Sequence, residues 1–304
     1  MKIHKKEEVI YGRVGGAALL ADLAYPSDGE SLPAIMYVHG GRWFMGVRVG
    51  NTMWEDLNVV EWAERGFFAV TIDYRLLGSS PAPAPYEDVQ CAIRWLHAHA
   101  DQYGIDPKRV YLIGDSAGGH LVSLVATLGE GPYARTGGWA DESNEVRAVI
   151  SAAGAYDLNT LDWGDAWEPF STVADSVERQ VSAFGESVAG MPPEQSAKWE
   201  PLLEELNQEL SPWVDNRRQL RSGEEARRLA SPLHQIGPAT KPILVIHSDD
   251  DDSVPVQQAL DMVQALDDAG VYHRFVHYAD RGHMAMTDEV IQETLAFIAD
   301  VESR

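Results

Sequence analysis

The chain has a single cysteine, Cys91, among 304 residues, so an intrachain disulfide is excluded. Cys91 falls inside an apolar helical pattern and reads as a packed thiol. Positive charge is also scarce. Against 47 acidic residues there are 24 Lys and Arg, for a net charge of −23, which argues against nucleic acid and anionic membrane surfaces as partners because both would be repelled. No run approaches the ~18 apolar residues of a membrane span. The opening "MKIHKKEEVIYGRVGG" has basic residues but no apolar stretch behind them, so no signal peptide is read. A cytoplasmic protein is expected, with secretion after removal of a signal as the alternative. Repeats and low-complexity tracts are absent. So is the histidine–carboxylate spacing of a metallohydrolase, and neither metal nor cofactor is expected.

What is present is a rhythm of short apolar runs separated by helical patterns. The runs are "AIMYV" (34–38), "FFAVTID" (67–73), "RVYLI" (109–113), "RAVISAA" (147–153), "PILVIH" (242–247) and "HRFVHY" (273–278). Most are too apolar to be half-exposed, which suits parallel strands covered on both faces. Helical stripes over 87–100, 116–128 and 257–269 lie between them. The alternation predicts an α/β fold with a mostly parallel, doubly wound sheet. "EEVIYGRV" and "AALLADLAYP" read as an antiparallel pair at its leading edge. Residues 158–230 break the rhythm, with no strand pattern, many acids and four tryptophans, Trp163, Trp167, Trp199 and Trp213. They read as a helical, cap-like insertion in a core made of 1–157 and 231–304.

The segment "YLIGDSAGGHLVSL" (111–124) places Ser116 between Gly114 and Gly118, where a strand gives way to a helix. In that setting G-x-S-x-G is a nucleophile elbow. A serine hydroxyl needs a base, and the chain order for this geometry is serine, acid, histidine. "SDDDDSVP" follows one strand and "ADRGHMAM" follows the last, which makes His283 the candidate base. His97, His99, His120 and His234 sit in helices or at the exit of the insertion and read as structural. The residues leave the acid open among Asp249, Asp250, Asp251 and Asp252. The others would solvate a loop, and four adjacent carboxylates also admit a calcium site. "VHGGRWFMG" supplies adjacent glycines, so Gly40, Gly41 and the Ala117 N–H are candidate oxyanion donors.

With these motifs in place, the chain resembles α/β-hydrolases of the esterase type, near the hormone-sensitive-lipase-like and bacterial feruloyl/acetyl-xylan esterase groups. The resemblance rests on "HGGRW" (39–43), "DYRL" (73–76), "YEDVQCAIRWLHAHADQYGIDPKRV" (86–110), "GDSAGGH" (114–120), "IHSDDDDSVPVQQ" (246–258) and "GH" (282–283). It implies the α/β-hydrolase fold and a catalytic set of Ser116, Asp251 and His283. Asp251 stands three residues before the valine of D-x-x-V-P, with Asp252 as runner-up. Two departures stand out. Arg42 replaces the last glycine of HGGG and is a candidate substrate contact for a carboxylate or polar group, and the insertion has no counterpart to carry over. Trp43, beside the oxyanion loop, is the second candidate substrate contact.

The expected function is serine-dependent hydrolysis of short-chain or aromatic acyl esters, with a small-molecule ester as partner and a homodimer as one open oligomeric state. HGG-x-W also resembles kynurenine formamidases, which keeps amide cleavage as an alternative. A catalytically silent binding protein on the same fold is a third, disfavoured by the presence of His283.

Overall fold

The computed structural model describes residues 2–48, 58–77, 79–80, 82–129, 131–133, 135–162, 173–219 and 223–304; the side chains of 173–180, 206 and 209–219 lie outside that description. Eight strands, β1 (Ile3–Val14), β2 (Ala17–Pro26), β3 (Leu32–Val38), β4 (Phe68–Ile72), β5 (Ile105–Asp115), β6 (Ala148–Ala152), β7 (Ile243–Ser248) and β8 (His273–Tyr278), form one sheet in the order β1-β2-β4-β3-β5-β6-β7-β8. β1 and β2 pair antiparallel, β2 meets β4 antiparallel, and every later pairing is parallel. All six strand runs and the leading hairpin are therefore where the sequence pattern puts them.

Period-two alternation divides each central strand between two cores. In β3, Ala34, Met36 and Val38 face one cluster, while Ile35 and Tyr37 face the other. β5 does the same with Val110 and Leu112 against Tyr111 and Ile113. The first core is closed by α2 (Ala84–Ala98), α4 (Ala117–Leu128) and α8 (Gln257–Asp268) through Ile93, Leu96, Val122, Val125 and Met262. The second is closed by α1 (Val59–Glu64) and α9 (Asp288–Glu302) through Trp62, Val290, Phe297 and Ile298. Burial on both faces explains why the strand runs are continuously apolar. Cys91 is buried in the first core, and that burial pushes its thiol up to about 11, as a packed thiol requires.

A short α3 (Ala100–Tyr103) leads into β5. Over 158–230 the described residues contain α5 (Val173–Ala189), α6 (Pro193–Gln219) and α7 (Glu224–Leu229), followed by a 3-10 turn at Pro232–Gln235. Phe184 of α5 meets Trp199 of α6 edge-on, ring centroids 6.0 Å apart, and Trp199 remains exposed. Trp163 and Trp167 lie outside the described residues, as does the side chain of Trp213. Among the described residues no helix is long and apolar enough to cross a membrane. The carboxyl ends of β3, β5, β7 and β8 open toward one crevice, the usual site position in a sheet of this kind.

Candidate active site

Ser116 occupies the sharp turn between β5 and α4 with φ 52° and ψ −118°, a conformation that L-residues rarely adopt. Two backbone hydrogen bonds hold it there, at the very start of a helix. Its N–H donates to Ala152 O (2.8 Å), its carbonyl accepts from His120 N (3.0 Å), and α4 begins at Ala117. Gly118 is required by packing, because a Cβ there would drive into the Val38 carbonyl of the neighbouring strand. Gly40 is required likewise, lying against Asp115 and the Ser116 Cβ. The glycines of the two motifs thus let the β3 loop and the elbow approach backbone to backbone.

His283 sits in the loop between β8 and α9, half-buried, with Nδ1 2.9 Å from Asp251 Oδ1 and 2.8 Å from Oδ2. A carboxylate can only accept, so Nδ1 carries the hydrogen and Nε2 is left with its lone pair. Asp251 accepts further N–H groups from Ser253 (2.9 Å) and Val254 (2.8 Å). Burial alone would raise its pKa, but hydrogen bonds from His247 and His283, with the Val254 N–H behind them, outweigh burial and hold the carboxyl well below the usual range.

The other aspartates have partners of their own. Asp249 Oδ1 lies 2.7 Å from His277 Nε2, and Asp252 accepts from the Ser253 hydroxyl at 3.3 Å. Asp250 does more than the loop-solvating role expected of it. Its Oδ1 accepts from the Ser248 hydroxyl (2.6 Å) and from the Gly282 N–H (2.7 Å), tying the acid turn to the residue before His283. Those donors, the Ser248 hydroxyl first, lower its pKa. No group of three or more metal-ligating side chains is assembled among the described residues.

Ser116, His283, Gly40, Gly41 and Ala117 all line one cavity of about 170 Å³. Ala117 is the first residue of α4, and its N–H is one of the donors without an intrahelical acceptor. Met45, Val47, Ala155, Leu161, Val254 and Met284 give the walls an apolar character. Arg42 is exposed at the rim, in the left-handed region with φ 54°, and forms no ion pair among the described residues. Trp43 lines the cavity too, but is only 3% exposed.

Trp43 is fixed by a partner that sequence reasoning set aside as merely structural. Its indole N–H donates to His120 Nδ1 (3.0 Å), and His120 Nε2 donates to Ala230 O (2.7 Å) at the end of the insertion. His120 thereby joins the loop after β3, the elbow helix and residue 230. The loop is braced on its other side by "DYRL". Tyr74 stacks on His39 at 4.2 Å and donates to its carbonyl (3.0 Å), while the Leu77 N–H donates to Trp43 O (2.9 Å). No periodicity announces these pairs, which join residues tens of positions apart.

Burial pushes the His120 imidazole down to about 4, only partly opposed by its bond to Ala230. The unfolded chain protonates it near 6.5, well before the folded protein does. Its share of stability is therefore present above about pH 6.5 and is lost as pH falls toward 4. Between pH 7.5 and 4.5 that loss is roughly 2–3 kcal/mol. Urea unfolding at the two pH values should show a smaller acid loss for His120→Gln than for the wild type by about this amount; parallel losses would contradict the assignment.

The BD-FAE family matches residues 21–203, more than half of the chain, and the prolyl oligopeptidase family matches 196–301. Among curated relatives, the probable carboxylic ester hydrolase LipM of Mycobacterium tuberculosis is 29% identical over 85% of this chain and 51% of its own length. The isoprenylcysteine alpha-carbonyl methylesterase ICME of Arabidopsis thaliana is 25% identical over 95% and 58% respectively. The chain thus spans about half the length of the curated relatives it matches. Esterase Est2 of Thermogutta terrifontis, solved with butyrate bound, aligns at TM-score 0.67 and 21% identity over 97% of this chain and 92% of that one. A truncated carbohydrate esterase from gut microbiota aligns at TM-score 0.68 and 20% identity, covering 99% and 97%. These likenesses establish the α/β-hydrolase fold, and the family match over the β3 loop and the elbow settles membership: the chain belongs to the BD-FAE family.

Proposed function

We propose that the protein is a serine carboxylesterase acting on short-chain or single-ring aromatic acyl esters. The observation that carries this reading is Ser116, held at φ 52° on an elbow and sharing one cavity with a His283 whose Nδ1 is bound to Asp251. In the proposed reaction Ser116 Oγ attacks the ester carbonyl as His283 Nε2 takes its proton. The N–H groups of Ala117 and of Gly40 or Gly41 receive the oxyanion. The imidazolium then protonates the departing alcohol, leaving an acyl-serine that water hydrolyses by the same steps in reverse roles. Asp251 keeps the imidazole in the required tautomer throughout.

Acyl size follows from the cavity. At about 170 Å³ with apolar walls it is comparable to an engineered cavity that accepts one benzene, which suits acetyl to butyryl groups or a single ring. The butyrate carried by the Thermogutta esterase points the same way. Arg42 adds a polar preference: an exposed guanidinium at the rim of a strongly acidic protein, without an ion pair among the described residues, is placed to bind a substrate carboxylate. Segment 158–230 serves as a cap in this reading, supported by Leu161 and Asp162 on the cavity wall and by Ala230 at His120.

A chain-length series of p-nitrophenyl esters, run beside feruloyl methyl ester and N-formylkynurenine, tests the reading. Turnover should peak at two to four acyl carbons or at the feruloyl ester. Cleavage of N-formylkynurenine in preference to every ester would replace it with an amidase. Arg42→Gln should lower kcat/KM for a carboxylate-bearing ester by about 10- to 100-fold relative to its neutral analogue, the worth of one charged hydrogen bond. An unchanged ratio would remove Arg42 from substrate binding.

A further inference from the structure

His247 is a second histidine on the acid of the site, and nothing in the proposed reaction uses it. It belongs to β7, four residues before Asp251, and is completely buried. Its Nε2 lies 2.8 Å from Val254 O and 3.3 Å from Asp251 Oδ2. The Val254 carbonyl can only accept, so Nε2 carries the hydrogen, bonded to that carbonyl with the Asp251 carboxylate 3.3 Å from the same nitrogen. Nδ1 is then an acceptor, buried and without a hydrogen-bond partner among the described residues. A residue placed only to fill space would not leave a ring nitrogen unsatisfied at this depth when an apolar ring of the same shape was available. What the imidazole contributes here, and phenylalanine would lack, is one N–H.

That N–H closes a ring of contacts. Asp251 Oδ1 accepts from the Val254 N–H, Val254 O accepts from His247, and His247 reaches back to Asp251 Oδ2. The Oδ1 side of the carboxylate is thus fixed by the Ser253 and Val254 backbone, and His247 is the partner that fixes the Oδ2 side besides His283 itself. We propose that His247 is a positioning residue: by donating Nε2–H to Asp251 Oδ2 it locks the carboxylate plane and so aims both oxygens at His283 Nδ1. The neighbouring bond from Asp250 to the Gly282 N–H sets the height of the His283 loop, and His247 sets the angle of the acid beneath it. The kinetic part of this inference rests on the esterase reading; the structural part does not.

The test compares His247→Phe, which keeps the ring and removes the donor, with His247→Gln, whose amide N–H reaches to about the same depth. His247→Phe should lose about 10- to 100-fold in kcat on the best p-nitrophenyl ester, with KM within about twofold, as a small misalignment of the base would produce. His247→Gln should recover most of that loss. In combination with Asp251→Asn the Phe substitution should cost almost nothing more, since it acts through the carboxylate. A second readout needs no substrate: the proton resonance of His283 Nδ1–H should be preserved in His247→Gln and shifted or lost in His247→Phe. If His247→Phe does not fold, His247→Leu takes its place. Equal losses in the Phe and Gln variants, additive losses with Asp251→Asn, or an unaltered His283 resonance in the Phe variant would each overturn the proposal. Absence of ester turnover in the wild type would instead sink the esterase reading, and the resonance would still decide the role of His247.

Discussion

Ser116→Ala should retain the fold and lose about a millionfold in kcat on the best ester, the scale seen when a triad nucleophile is removed. Alanine keeps the Cβ, so it meets the same backbone demand at φ 52° and the same neighbours, Ala152 O and His120 N. Only the hydroxyl disappears. What remains is the residual 1000- to 10,000-fold over water that oxyanion donors and binding supply. Circular dichroism and thermal unfolding should be unchanged. Turnover within tenfold of the wild type would remove Ser116 from the reaction and with it the meaning of the elbow.

The second large effect is at the acid. Asp251→Asn should lower kcat by about 10,000-fold with little change in KM. The carboxylate receives two backbone N–H groups, His283 Nδ1 and the His247 ring. An asparagine carbonyl can accept on one side only, and its NH₂ would face a donor on the other. Relief of that clash turns the carboxamide over or forces His283 into the tautomer with the hydrogen on Nε2, where it cannot take a proton from serine. Asp249→Asn, beyond the site on His277, should leave kcat within about twofold. Asp250→Asn should fall between them, because it weakens the hold on the Gly282 N–H without touching the imidazole. Equal losses at all three positions, or recovery with added calcium, would contradict a single orienting acid and favour an ion site.

The sequence spoke clearly wherever a feature depends on local pattern. Strands buried on two faces must be apolar where both faces are covered, and residues 34–38 of β3, 110–113 of β5 and 243–246 of β7 are, so their existence and parallel pairing are readable. Ser116 was readable because strain and close approach leave a mark: glycines at 114 and 118 have no other reason to flank a buried strand–helix joint. The acid was harder. Four consecutive aspartates look alike to any pattern, and only spacing to Val254, through family likeness, points to Asp251, the one whose carboxylate meets His283.

Long-range polar partners left no such mark. His120 lies on a helix that is apolar nearly all round, which hides its role in fixing Trp43 and reaching residue 230. Tyr74 and Asp250 serve the site through contacts with backbone groups, and a backbone group has no signature in the sequence. Trp43 illustrates the limit. It was expected beside the substrate, and it does line the cavity, but its indole N–H is committed to His120, so what it offers a ligand is ring surface rather than a hydrogen bond. Among the described residues of 158–230 the structure has the helices α5, α6 and α7, while the acidic composition says nothing about how their faces are used.

The central claim is that Ser116 is the activated nucleophile. Incubation with a p-nitrophenyl phosphonate, followed by intact-mass analysis and peptide mapping, measures it directly. The account predicts one adduct per chain on the peptide containing Gly114–Gly118, absent in Ser116→Ala and slowed by orders of magnitude in Asp251→Asn. A stoichiometric adduct on any other residue, or none on a folded wild-type protein, would contradict it.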